Sequence, residues 1–192
     1  MNQIAENIKQ RLSLRKPLKE ALDILVNLAD EFELKKEVDL KSELVKVQAL
    51  YPTCTDFERE FVSICFSIAT GVGKTRLMGA CITWLYLEKG IKNFFVLAPN
   101  LTIYNKLIED FGNSSNPKYV FNGIADFVHN KPIIITGDNY SQVRPSDSKR
   151  QTAFNLNNQE IRINVFNVSK FARETKPVKE GGKNMTPRIK RL

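Results

Sequence analysis

Apolar residues recur at helical spacing through the first fifty positions of the chain. Three stripes repeat every three or four residues, as on one face of an amphipathic helix: Ile4, Ile8 and Leu12; Leu18, Leu22, Leu25, Val26, Ala29 and Phe32; and Leu40, Leu44 and Val47. Charged residues of both signs occupy the positions between them. The pattern predicts a helical appendage that ends before Tyr51, because Pro52 disfavours helical backbone at the residue preceding it.

From residue 60 onward, short apolar runs alternate with longer segments of helical period. The predicted strands lie near 62–68, 93–98, 118–122, 132–136 and 160–167, and the predicted helices near 75–89 and 101–111. This alternation is typical of an α/β fold, with a mostly parallel sheet and helices on its faces. Ligands of such sheets bind at the carboxyl ends of the strands. The polar stretch 137–159 is predicted to be a long surface loop.

The predicted turn between the first strand and the following helix reads A-T-G-V-G-K-T over residues 69–75. Two glycines let the backbone bring its N–H groups onto phosphate oxygens, and the positive end of the helix adds to the attraction. Lys74 is placed to reach the terminal phosphates, and the Thr75 hydroxyl to complete a Mg²⁺ shell. The predicted nucleotide-site residues are Thr70, Gly71, Val72, Gly73, Lys74, Thr75 and Arg76, with Lys74 and Thr75 in the catalytic role. The flanking strand and helix patterns disfavour a chance Gly-Lys-Thr turn.

One position departs from the general phosphate-loop pattern G-x-x-x-x-G-K-[ST], because Ile68 stands where the first glycine is expected. One strand later the chain reads V-L-A-P over 96–99, and Asn100 is a suitable N-cap for the next helix. Together these segments resemble motifs I and Ia of the first motor domain of superfamily 2 helicases and translocases. The chain is most similar to the Res subunit of type III restriction–modification enzymes. That resemblance covers roughly residues 51–192 and includes the segments PKYVFNGI, IIITGDNY, INVFNVSKF and PRIKRL.

The resemblance implies a truncated RecA-like motor domain that binds ATP and Mg²⁺, with Thr75 meeting the metal. It implies contact with the DNA backbone at the strand ends, which positions DNA without reading its sequence. The residues implied for that contact are Pro99, Asn100, Thr102, Thr136, Gly137 and Ser169. It further implies a cytoplasmic ATP-dependent restriction endonuclease and helicase, whose methyltransferase (modification) subunit supplies sequence recognition.

The hydrolytic half of such a site is missing from this sequence. Motors of this kind need an acidic D-E-x-H motif to position the metal and the attacking water, and no adjacent acidic pair ends an apolar run after Asp110. By resemblance that motif lies beyond Leu192, so we expect an N-terminal piece of a larger protein, inactive alone. The expected organisation is a helical appendage over 1–50, a partial first motor domain over 51–172 and a disordered basic tail over 173–192.

Two other functions fit the same residues: another superfamily 2 DNA or RNA helicase, and a nucleotide-binding regulatory module that never hydrolyses ATP. Charge does not separate them. The net charge is +8, but the seven basic and two acidic residues from position 173 onward contribute +5 of it. The three cysteines follow no metal-ligand spacing, and Cys65 and Cys81 are predicted to be buried in a strand and a helix. The apolar stretch 77–87 is too short to cross a bilayer, so no membrane role is expected.

Overall fold

The computed structural model describes residues 2–32, 35, 37–140 and 160–168. Its first three helices are α1 (Gln3–Arg11), α2 (Lys16–Glu31) and α3 (Leu40–Leu50). Asn2 caps α1 by accepting a hydrogen bond from the N–H of Ala5 at 2.9 Å, and Asp39 caps α3 through Lys41 N at 3.2 Å. The helices carry the predicted apolar stripes on the faces that pack against the core, so the predicted N-terminal helices are confirmed.

The later elements alternate in the predicted manner. They are α4 (Lys74–Lys89), β1 (Asn93–Ala98), α5 (Leu101–Gly112), α6 (Ala125–His129), β2 (Ile133–Ile135) and β3 (Arg162–Asn167). Gly90 ends α4 in the left-handed conformation, with φ of +66°, as expected of a glycine that stops a helix. The predicted polar loop beyond residue 140 and the basic tail lie outside the described residues.

The three strands form one parallel sheet in the order β1-β3-β2. Ala98 pairs with Asn167, so β1 and β3 end level with each other, whereas Ile135 pairs with Asn164, so β2 ends three residues before the end of β3. One face is buried beneath α5 and includes Val96, Ile163 and Val165. This parallel sheet with flanking helices confirms the α/β class and is consistent with a truncated RecA-like domain.

Two predicted strands were wrong. Residues 62–68 form no ladder with the described strands, although their alternating apolar side chains pack against the core. Residues 118–122 form a series of turns, in which Val120 N donates to Asp110 O at 2.9 Å. In both segments, side-chain burial satisfies the apolar pattern without a neighbouring strand, and a strand needs such a neighbour to pair its backbone. The buried position predicted for Cys65 was also wrong, because Cys65 lies on the outward side of the unpaired segment and is exposed.

The N-terminal helices share a hydrophobic core with α4 and the sheet. Trp84 of α4 donates its indole N–H to the side chain of Asn2 at 3.3 Å. The buried ammonium of Lys9 pairs with Glu6 at 2.7 Å and with Asp23 on the neighbouring helix. Within the described part of the chain, no helix combines the length and apolar character needed to cross a membrane.

Candidate nucleotide-binding site

Two glycines shape the turn that leads into α4. Gly71 has φ of +78° and Gly73, the N-cap of α4, has φ of +114°. Residues with a Cβ rarely adopt these left-handed backbone conformations, so the tight turn depends on glycine at both positions. The turn the sequence predicted is therefore present, with the backbone bend that a phosphate-binding loop requires.

The loop presents polar groups to open space. Thr70, Gly71 and Lys74 are exposed, and Thr75 is half-buried. A Cβ built on Gly71 would meet no atom within 4 Å. The first N–H groups of α4 have no intrahelical acceptor, because the residues four positions earlier precede the helix. Free amides, an exposed lysine and a threonine hydroxyl at the positive end of a sixteen-residue helix form a donor set that fits a phosphate group with its Mg²⁺.

Arg76 does not join this set. Its guanidinium Nη1 donates a hydrogen bond to the carbonyl oxygen of Leu12, at 3.0 Å. Leu12 is the C-cap of α1, so Arg76 reaches across to the N-terminal helices. In this structure, the side chain predicted to contact nucleotide instead joins α4 to α1.

Leu18 lies directly behind the loop and was missed by sequence reasoning. A Cβ built on Gly73 would lie 3.3 Å from Leu18 Cδ1, and Leu18 itself is fully buried. The helix pattern correctly predicted that Leu18 faces a core. Nothing in the sequence indicates which residue it contacts, because Leu18 and Gly73 are far apart along the chain.

The ends of β1 and β3 lie side by side, as the predicted DNA contacts require. Pro99, Asn100 and Thr102 follow β1 and are all exposed. The Asn100 side chain also caps α5, accepting a hydrogen bond from Ile103 N at 2.9 Å. The residues after β1 are therefore available to a ligand, although Asn100 Oδ1 already has a structural partner.

The turn after β2 is held by Asn139, which sequence reasoning also missed. Asn139 accepts from Thr136 N at 2.7 Å and donates to Ile134 O at 3.0 Å. Thr136 is buried and its hydroxyl accepts from Asp138 N at 3.3 Å, whereas Gly137 is exposed. The frequency of asparagine in turns was the available signal. Ser169, the last predicted contact, lies outside the described residues.

Ionisable groups outside the loop do not form a metal site in the described part of the chain. In the segments that the structure describes, no three His, Cys, Asp or Glu side chains are grouped so that they could hold a metal ion. Burial raises the pKa of the Cys81 thiol to about 12, so this thiol is neutral at physiological pH. The sole histidine, His129, is exposed at the end of α6, as expected of a surface residue.

A glycine-rich turn, a helix that begins at its lysine and a parallel sheet define an α/β domain of the phosphate-loop class. The model of the family described as "Type III restriction enzyme, res subunit" matches residues 11–187. The chain therefore belongs to that family, and the resemblance seen in the sequence is confirmed. As a member of this family, the chain is a helicase-like ATP-binding motor region, and the family implies ATP-dependent hydrolase or helicase-like activity. Comparisons with curated proteins and with solved structures gave no significant match.

Proposed function

We propose that this chain is the ATP-binding part of the DNA translocase subunit of a type III restriction endonuclease. The observation that carries the proposal is the loop: two left-handed glycines, followed by an exposed lysine at the start of α4. The family match across residues 11–187 supports the motor context.

Electrostatics favours an anion at this loop. The helix dipole places partial positive charge at the N-terminus of α4, which is an unfavourable position for the ammonium of Lys74. A phosphate group would interact favourably with both the amides and Lys74. Residues 71–75 would hold the β- and γ-phosphates, and the Thr75 hydroxyl would be a ligand of Mg²⁺. When bound, the metal would neutralise charge on the phosphates.

Nucleotide binding tests this assignment. Titration of the 192-residue chain with MgATP and with pyrophosphate should show weak binding that Lys74→Ala abolishes, because that variant removes the cation facing the phosphates. Lys41→Ala is the matched control: Lys41 is also an exposed lysine in the first turn of a helix, but no glycine loop precedes it. Equal affinities of Lys74→Ala and the unaltered chain would contradict the proposal.

Hydrolysis is expected to be absent from the chain taken alone, because its sequence carries no acidic D-E-x-H motif. Phosphate release measured with and without DNA should remain at background. Release above background that disappears in Lys74→Ala would show that the acidic groups already present are sufficient. Tight binding of ATP that depends strongly on Mg²⁺ would likewise indicate that the acidic groups already present are sufficient to complete the site.

Contact with the DNA backbone is proposed at the edge where β1 and β3 end. Small exposed polar groups, Asn100 and Thr102, follow β1 there, and Gly137 is exposed after β2. Such groups suit phosphate oxygens, and no arrangement for reading bases is needed because sequence recognition is assigned to a methyltransferase partner subunit. Any DNA binding by this chain should be indifferent to sequence and should fall steeply with salt.

The charge distribution sharpens the DNA test. Because residues 173–192 carry +5 of the net +8, a chain ending at Ala172 should lose most of its low-salt affinity for duplex DNA. Asn100→Ala should change that affinity little. The opposite result, with truncation tolerated and Asn100→Ala abolishing binding, would show that the edge after β1 is the main DNA contact of this chain.

A further inference from the structure

We propose that Arg76 is a positioning residue for the phosphate loop, acting through the corner between α1 and α2, and is not a ligand of the nucleotide. The inference rests on the proposed nucleotide function of the loop and adds a specific device that supports it. It starts from the hydrogen bond between Arg76 Nη1 and the carbonyl oxygen of Leu12, at 3.0 Å.

The partner of Arg76 explains the direction in which its side chain extends. Leu12 is the C-cap of α1, and the last carbonyl groups of a helix lack intrahelical donors and carry partial negative charge. A guanidinium at this end of α1 is stabilised by the helix dipole. The same guanidinium directed toward the N-terminus of its own helix α4 would meet partial positive charge. The dipoles of α1 and α4 therefore both favour the hydrogen bond from Arg76 to the carbonyl oxygen of Leu12.

Helix geometry separates Arg76 from Lys74. Residues two positions apart on an α-helix are turned by about 200° from one another, so their side chains leave on different sides. Lys74 is exposed beside the loop glycines, while Arg76 extends to α1. A phosphate held by Lys74 and the loop amides would thus lie on the side of α4 that Arg76 does not face.

Two further contacts place the same corner behind the loop. Leu18, in the first turn of α2, lies 3.3 Å from the position that a Cβ on Gly73 would take. On the other side of the corner, the carbonyl oxygen of Arg11 lies 3.3 Å from the Cβ position of Gly123. The corner formed by residues 11–18 therefore contacts the phosphate loop at Gly73 and the turns before α6 at Gly123. The hydrogen bond from Arg76 joins this corner to the helix that carries the loop.

Amide hydrogen exchange of the nucleotide-free chain tests the positioning role directly. Removal of the guanidinium in Arg76→Met should speed exchange of the Leu77 N–H, which donates to the carbonyl oxygen of the loop residue Gly73 at 3.1 Å, by about fivefold, the loss expected for one hydrogen bond. Arg76→Lys, which keeps a donor, should restore most of the protection. Arg15→Met is the matched control, since exposed Arg15 belongs to the same corner and makes no capping hydrogen bond. Exchange within α5 serves as the internal reference.

The proposal is overturned if exchange of the Leu77 N–H is unchanged in Arg76→Met, or if Arg15→Met has the same effect. It is also overturned if exchange in α5 rises equally, because the change would then be global. A second arm measures affinity for ATP, ADP and pyrophosphate. Positioning predicts the same fold-loss for all three in Arg76→Met, whereas a loss confined to ATP would make Arg76 a ligand of the γ-phosphate.

The two proposals fail in different ways. If neither the unaltered chain nor any variant binds these ligands, the nucleotide function is wrong. The exchange arm, which uses no nucleotide, still decides whether Arg76 orders the loop.

Discussion

Gly79 provides a stability test whose sign depends on the packing between α4 and the turns that follow α5. Gly79 is buried in the middle of α4. A Cβ added there would lie 2.7 Å from Val120 Cβ, 3.0 Å from Val120 Cγ2 and 3.2 Å from the Val120 carbonyl oxygen. Carbon atoms that are not bonded do not approach this closely, so Gly79→Ala must displace the backbone at Val120.

Two opposing terms set the expected magnitude. Alanine is favoured over glycine within a helix by about 1 kcal/mol. Overpacking a well-packed core destabilises a protein by about 1–3 kcal/mol, and here part of the clash is with backbone, which cannot rotate away. The clash should dominate, so we expect Gly79→Ala to lower the free energy of unfolding by about 1 kcal/mol. Gly79→Ser should lower it at least as much, because its side chain is larger.

Urea unfolding followed by tryptophan fluorescence gives the measurement. The only tryptophan, Trp84, is fully buried in α4 and reports on the helix concerned. Asn27 provides the matched control, because it is exposed in the interior of α2, a helix of the same length as α4. Asn27→Gly should be less stable than Asn27→Ala by about 1 kcal/mol, which calibrates the propensity term. If Gly79→Ala raises the free energy of unfolding by a similar amount, no Val120 backbone lies against Gly79 and the packing is wrong.

Three further outcomes follow from local environments. Cys65 should react with a thiol reagent at pH 8 much faster than Cys81, because Cys65 is exposed and burial raises the pKa of Cys81 to about 12. Equal reaction rates of the two thiols would show that α4 opens readily. Burial opposes the charge of Lys9, but hydrogen bonds to Asp23 and Glu6 outweigh it and raise its pKa above 10.5. Its contribution to stability is therefore fully present below pH 10.5 and is lost as the pH rises from there through the raised pKa of Lys9, so the stability gap to Lys9→Met should narrow in alkaline urea titrations. Asn139→Ala should lower the free energy of unfolding by about 1–3 kcal/mol, because it leaves Thr136 N and Ile134 O unpaired. If Asn105→Ala, at an exposed control position, lowers it as much, the two hydrogen bonds of Asn139 do not stabilise the turn.

The sequence alone determined those features that depend on neighbouring residues. Helical period predicted α1 to α5, and side-chain chemistry predicted the cap at Asn100. Two glycines before Lys74 predicted the left-handed turn of the loop. Backbone sterics and local hydrogen bonds govern these features, and both act over a few residues. The family resemblance rests on the same short segments.

Tertiary structure decided the features that depend on which elements meet. The alternation over 62–68 predicted a strand, but a ladder needs a second backbone, and among the described strands none pairs with that segment. Arg76 reads as part of the loop motif, yet it extends to Leu12, because α1 ends beside α4. Thr136 was predicted to offer its hydroxyl at the end of a strand, but it is buried in a turn that Asn139 stabilises by accepting a hydrogen bond from Thr136 N. Contacts between residues distant in the chain follow from packing of whole elements, and no local pattern encodes them.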